Sequence, residues 1–290
     1  MHTIEIPDKE KVIQFPSEWN ECSQEQAQHL LKLAFEVMQG SMSIGEFRIK
    51  VFQYFTKIKF GIGYLVRQKL DLNDDINAKI YQLSEQLCGW VFTKQNDTTY
   101  ELQYDTIVNH FPILLNKYHG PENLLADVTL GEFKTALSIL DQYFECKNDE
   151  IQATEHLDLF LSVLYRHKES GQKVPFYQHL PDPEIFRRVP VWQKQCITIW
   201  FTFCVKCLQT EELTINGIDV DLSVLFPKSE NTGSNNRKVN LGWTGILLDI
   251  AESGVFGDAI TTSQTPLYDV LIFLLKKHQD QKPNDNRKKV

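Results

Sequence analysis

Between Trp192 and Leu208 the chain is apolar around nearly the whole circumference of a helix: Trp192, Cys196, Ile197, Ile199, Trp200, Phe201, Phe203, Cys204, Val205 and Leu208. A helix of this kind has no face to offer water and must be surrounded by other elements. The run therefore predicts a fold of several packed helices, with this one at the centre of the C-terminal half. A chain of 290 residues with 42% apolar residues and 18 Phe has the material to fill such a core.

The rest of the chain carries the same helical grammar. After Ser23, apolar residues at Ala27, Leu30, Leu31, Ala34, Phe35 and Met38 fall in steps of three and four, which makes one stripe. Ser23 with Gln26 predicts a capping box at the start, and Gly40 a left-handed cap at the end. Ser43 with Glu46 predicts a second box and Thr129 with Glu132 a third. Further helices are expected from about Asp74 to Trp90, through Leu157–Leu164, over Trp243–Ser253 up to Gly254, and from Thr265-Pro266 onwards. Gly61 and Gly63 interrupt the pattern. The Asn216-Gly217 pair between alternating residues predicts a β-hairpin, and Tyr100–Tyr104 alternates like a second short strand. The expected fold class is mostly α, a multi-helix globular bundle with one or two small β-hairpins.

Pro175, Pro181, Pro183 and Pro190 exclude a continuous helix across 175–190. The expected organisation is an N-terminal helical region over 1–174, a proline-rich connection at 175–190, and a C-terminal helical region with its hairpin over 191–278. A disordered basic tail over 279–290 follows, and a single domain overall stays open. Residues 227–240 read as a mobile surface loop.

The charge of −8 is uneven: Lys276–Val290 carries a net +4, which leaves −12 on the body. An acidic body argues against a groove for nucleic acid over the whole protein. The tail is either solvated or a contact for a polyanion or acidic surface. No run of apolar residues is long enough for a membrane span, and Glu5, Asp8, Lys9, Glu10 and Lys11 stand where a signal peptide needs its apolar stretch. A cytoplasmic location is expected.

The search for chemistry is largely negative. Cys204 and Cys207 form a CxxC, the pattern of a redox dithiol or half a zinc site. They lie inside the apolar helix without a second pair, so buried structural cysteine is the expectation. The eight histidines are scattered, with His156 and His167 three turns apart on one expected helix, and no HExxH occurs. Glu155-His156-Leu157-Asp158 sets carboxylates beside a histidine, but at adjacent positions that point in different directions. Phosphate-binding loops and a nucleophile elbow are absent. No catalytic residue, cofactor or metal site is expected. One stretch suggests a partner: Phe186-Arg187-Arg188-Val189-Pro190-Val191-Trp192 combines Arg187, Arg188 and Trp192, residue types enriched at binding hot spots. The alternative is that it forms the entry to the buried helix, with the arginines snorkelling outward.

Three segments in order are similar to helical proteins encoded in phage and prophage tail-module gene clusters. They are Thr129-Leu130-Gly131-Glu132-Phe133 leading to Val163-Leu164-Tyr165-Arg166, the Trp192–Leu208 helix, and Trp243–Gly257. The resemblance spans about residues 125–275 and implies a phage tail assembly chaperone or minor structural component, cytoplasmic or virion-associated, with tail components as protein partners. It carries no catalytic residue. The functional expectation is a non-enzymatic interaction or assembly protein. The alternative is a regulatory or nucleic-acid-associated adaptor using the basic C-terminal tail.

Overall fold

In a computed structural model, residues 1–6, 11–57, 74–95, 100–146, 148–176, 180–215, 217–225 and 242–281 are described. The Gly61–Gly63 break, the loop at 227–240, Asn216 and the tail beyond Gln281 lie outside them. The chain is mostly α-helical, and all of its described sheets are two-stranded antiparallel hairpins. It divides into two compact units, Met1–His110 and Phe111–Val290.

The first unit opens with a hairpin of β1 (His2–Ile6) and β2 (Lys11–Phe15), in register from His2 opposite Phe15 to Ile6 opposite Lys11. Along β2, Ile13 and Phe15 are buried while Val12 and Gln14 face out, the period-two pattern of a one-sided sheet. Helix α1 (Gln24–Met38) starts with both halves of the Ser23–Gln26 capping box. It ends as expected at Gly40, whose φ of 70° lets Gly40 N–H reach Val37 O (2.9 Å) and Ser41 N–H reach Glu36 O (3.0 Å). This double closure needs the left-handed residue that glycine supplies. Helix α2 (Ile44–Thr56) forms only the serine half of its box, because the Glu46 carboxylate turns to Lys50 (3.0 Å). It packs on α3 (Asp74–Cys88), and β3 (Phe92–Lys94) pairs with β4 (Tyr100–Leu102). Trp19 is the centre of this core, edge-on to Trp90 at 5.0 Å and to Tyr104 at 4.8 Å. Such contacts add to the burial of the rings themselves.

The second unit begins with the short hairpin β5 (Ile113–Leu114) and β6 (Tyr118–His119). Helix α4 (Leu130–Glu145) has the complete Thr129–Glu132 capping box and packs along α5 (Glu150–Leu164). A hairpin of β7 (Lys168–Glu169) and β8 (Gln172–Lys173) follows. The proline-rich stretch then forms a 3-10 helix, Pro183–Arg188, against α5.

This stretch was expected to be the connection between regions, but the division falls at His110/Phe111 instead. The prolines stop the α-helix without interrupting the core, since Phe186 and Val189 are buried within it. Helix α6 (Val191–Thr210) places Phe201 edge-on to Phe160 at 5.2 Å, with Ile197, Trp200 and Cys204 buried. Its enclosure is not complete: Thr202 and Lys206 are exposed, and Ile199, Phe203 and Val205 are half-buried.

The hairpin at Asn216-Gly217 forms as β9 (Glu212–Ile215) and β10 (Ile218–Asp221), with Gly217 at φ 78°. Helix α7 (Gly242–Ser253) stops at Gly254, and α8 (Ala259–Gln264), which the periodicity did not indicate, is capped by Asp258. Helix α9 (Leu267–Gln281) is tied to the start of α4. Leu267 N–H donates to Val128 O (2.9 Å) and Leu130 N–H to Thr265 O (3.0 Å). The mostly-α class with small hairpins holds. The hairpins number five among the described residues: β5–β6 and β7–β8 are built of two-residue strands, which leave no periodic trace, and β1–β2 was not anticipated despite its five-residue strands.

Candidate functional site

The second unit contains a cleft of about 480 Å³ between the β7–β8 hairpin, the start of α4 and the end of α8. Its geometry begins with two sequence-local devices. Leu124 and Leu125 are both left-handed (φ 52° and 61°), folding the chain so that Glu122 N–H donates to Asp127 Oδ1 at 2.7 Å. The capping box of α4 aims Glu132 inward, where Thr129 N–H donates to its Oε2 (2.6 Å).

Arg166, just past the end of α5, meets Glu132 from the other side. Its guanidinium pairs with Glu132 Oε1, and both side chains are almost completely buried. Its Nε donates to Val174 O (2.7 Å) and its Nη1 to Val163 O (2.7 Å). One arginine therefore joins α4, the end of α5 and the segment that leaves the hairpin, a planar fork engaged at all three nitrogens. Burial pulls its pKa down to about 10, opposed by the Asp127 charge.

Lys173 supplies a second tie, with its Nζ 2.7 Å from Asp127 Oδ2. Burial lowers its pKa, while Asp127 and then Glu122 resist that shift. Both ion pairs lock the hairpin against the body of the unit. Lys168 and Glu122 also line the cleft, and among the described residues neither side chain has an ion-pair or hydrogen-bond partner.

A separate buried pair, Lys194 of α6 with Asp158 of α5, lies within the helical core. Burial raises the Asp158 pKa, and Lys194 opposes the rise. The pair links the two helices. Lys194 occupies the apolar Trp192–Leu208 run. Asp158 stands likewise within the apolar Leu157–Phe160, but Lys206 in the same run as Lys194 is exposed, so the sequence does not distinguish the buried lysine from the solvated one. The Glu155–Asp158 stretch does not converge: Asp158 goes to Lys194, while His156 Nδ1 lies 2.7 Å from Gln152 O and 3.5 Å from Cys146 Sγ. His167 lies beyond the end of α5, its ring tilted at 46° against Tyr118 with centroids 4.3 Å apart, so it does not share a helix with His156.

Cys204 and Cys207 are buried on α6, and burial raises the Cys204 thiol pKa. This is the wrong direction for a reactive thiolate. No cluster of three metal-ligating side chains occurs among the described residues, and no described helix is long and apolar enough to cross a membrane.

The expected interface residues occupy one edge. Arg187 is more than half exposed and pairs loosely with Glu184 (3.3 Å), Arg188 is exposed, and Trp192 is half-buried, edge-on to Phe111 at 5.9 Å. Val191 between them is 46% exposed. The cleft residues Asp127, Arg166 and Lys173 escaped a sequence search for sites, since each looks like ordinary helix punctuation or hairpin polarity. Comparison with protein-family models, curated proteins and solved structures finds no match to this chain.

Proposed function

We propose that the chain is a non-enzymatic interaction or assembly protein, and that its partners are phage tail components, which it serves as an assembly chaperone or minor structural part. The observation that carries the reading is the Arg187–Trp192 edge. Phe186 and Val189 anchor it in the core while Arg187, Arg188 and Val191 stay in solvent. Arginines beside an aromatic and an aliphatic side chain on a rigid support suit a protein partner better than a small substrate. Further support comes from the buried charges. Glu132 with Arg166 and Asp158 with Lys194 are committed to holding elements together. The resemblance over residues 125–275 supplies the phage assignment and a cytoplasmic or virion-associated location.

The test is co-expression of the full chain with the tail-tube and tape-measure proteins of a matching gene cluster, followed by size-exclusion chromatography with light scattering. A complex that weakens at least about tenfold in the Arg187→Glu/Arg188→Glu variant is expected. A monomer with no tail partner would remove the reading. The basic residues of Lys276–Val290 favour a second reading, a nucleic-acid-associated adaptor. Salt-dependent DNA binding that survives truncation after His278 would end it.

A further inference from the structure

The cleft's charges do not contribute equally. Glu132 is neutralised by Arg166 and Asp127 by Lys173, in contacts that also hold the hairpin in place. One carboxylate, Glu122, and one ammonium, Lys168, have no direct ion-pair or hydrogen-bond partner among the described residues, Glu122 acting on Lys173 only through space. A polyanion or polycation would gain nothing net from such a lining, because each would be repelled by one of the two. A ligand carrying one charge of each sign is matched by both.

The remaining groups narrow the class. The side chains of Gln172, Ser263 and Gln264 line the cleft without hydrogen-bond partners among the described residues. Amides and hydroxyls both donate and accept, as a peptide unit requires. Pro175 and Phe176 supply an apolar wall. The volume of about 480 Å³ falls within the range of small-ligand sites. We propose that this cleft binds a short zwitterionic peptide, with its ammonium at Glu122, its carboxylate at Lys168 and its amide groups on Gln172 and Gln264. This site is separate from the Arg187–Trp192 edge and stands or falls independently of it.

The register of the hairpin strengthens the case for an anionic group at Lys168. Lys168 stands directly opposite Lys173. Like charges facing across a strand pair repel, and Asp127 relieves only Lys173. A ligand carboxylate would relieve the other lysine.

The experiment is calorimetric titration of the full chain with Gly-Phe-Gly bearing free ends, with its N-acetylated form and with its C-amidated form. Saturable binding of the free peptide is expected, with each blocked form at least about tenfold weaker. Glu122→Gln should equalise the free and acetylated peptides, and Lys168→Gln the free and amidated ones. Both residues are exposed, so both variants should keep the parent circular dichroism spectrum. No saturable heat up to about 10 mM peptide, or equal affinity for either blocked form in the parent protein, overturns the proposal.

Discussion

Glu132 and Arg166 share one buried contact that serves three elements. The same carboxylate that accepts Thr129 N–H at the head of α4 pairs with a guanidinium bound to the backbone of Val163 and Val174. Removing one partner of a buried pair leaves an uncompensated charge in the core, which costs more than the pair contributes. Arg166→Ala is therefore expected to destabilise the second unit by about 3–5 kcal/mol. Glu132→Gln, which keeps an oxygen for Thr129 N–H, should cost less. Urea unfolding followed by fluorescence would show the order, and equal losses for both variants would contradict the three-way role.

Gly131, next to Glu132, is required for close approach. A Cβ at this position would lie 2.9 Å from the backbone oxygen of Ser263 and press on its side chain. Backbone cannot rotate away, so the end of α8 must shift. Gly131→Ala should destabilise by about 1–3 kcal/mol, and trimming Ser263 to alanine should restore only part of it. Full rescue would mean that the hydroxyl alone was the obstacle.

In the first unit, His110 is buried with Nδ1 2.9 Å from the Tyr104 hydroxyl. Burial lowers its pKa from 6.5 to about 4, against smaller opposing effects from the backbone of Cys22 and Trp19. A depressed folded-state pKa means that the unfolded chain takes the proton first. The contribution is fully present above about pH 6.5 and is lost as pH falls toward 4, amounting to about 3 kcal/mol. Unfolding midpoints of the parent and His110→Gln between pH 7 and 4 test this. The variant should lack that part of the slope.

The thiols should separate by burial. Cys146 is half-exposed, whereas Cys22, Cys88, Cys196, Cys204 and Cys207 are buried. Burial pushes the Cys88 and Cys196 thiols up to about 12. Alkylation of the native protein should label Cys146 first and the other five only after unfolding. Early labelling of Cys204 by peptide mapping would point to an open or reactive α6.

The capping boxes at Ser23 and Thr129, the left-handed stop at Gly40, the helix end at Gly254 and the hairpin around Gly217 were all legible in the sequence. Each depends on residues within a few positions of one another, and local hydrogen bonding specifies them. The edge proposed as an interface was picked from composition alone, through Arg187, Arg188 and Trp192, and the structure adds their exposure. The cleft was not legible, because its parts come from three separate stretches, 122–132, 166–176 and 263–264.

The apolar run Trp192–Leu208 illustrates the same division. Its hydrophobicity determined that a long helix would be buried among others, since apolar surface on every side cannot be left in water. It did not determine that Lys194 would be enclosed with Asp158, nor that Thr202 and Lys206 would face out. A single helix carries no information about which neighbour arrives on which side. Only the packing of α4, α5 and α6 decided where each charge found its partner, and buried charges remain only where such a partner exists.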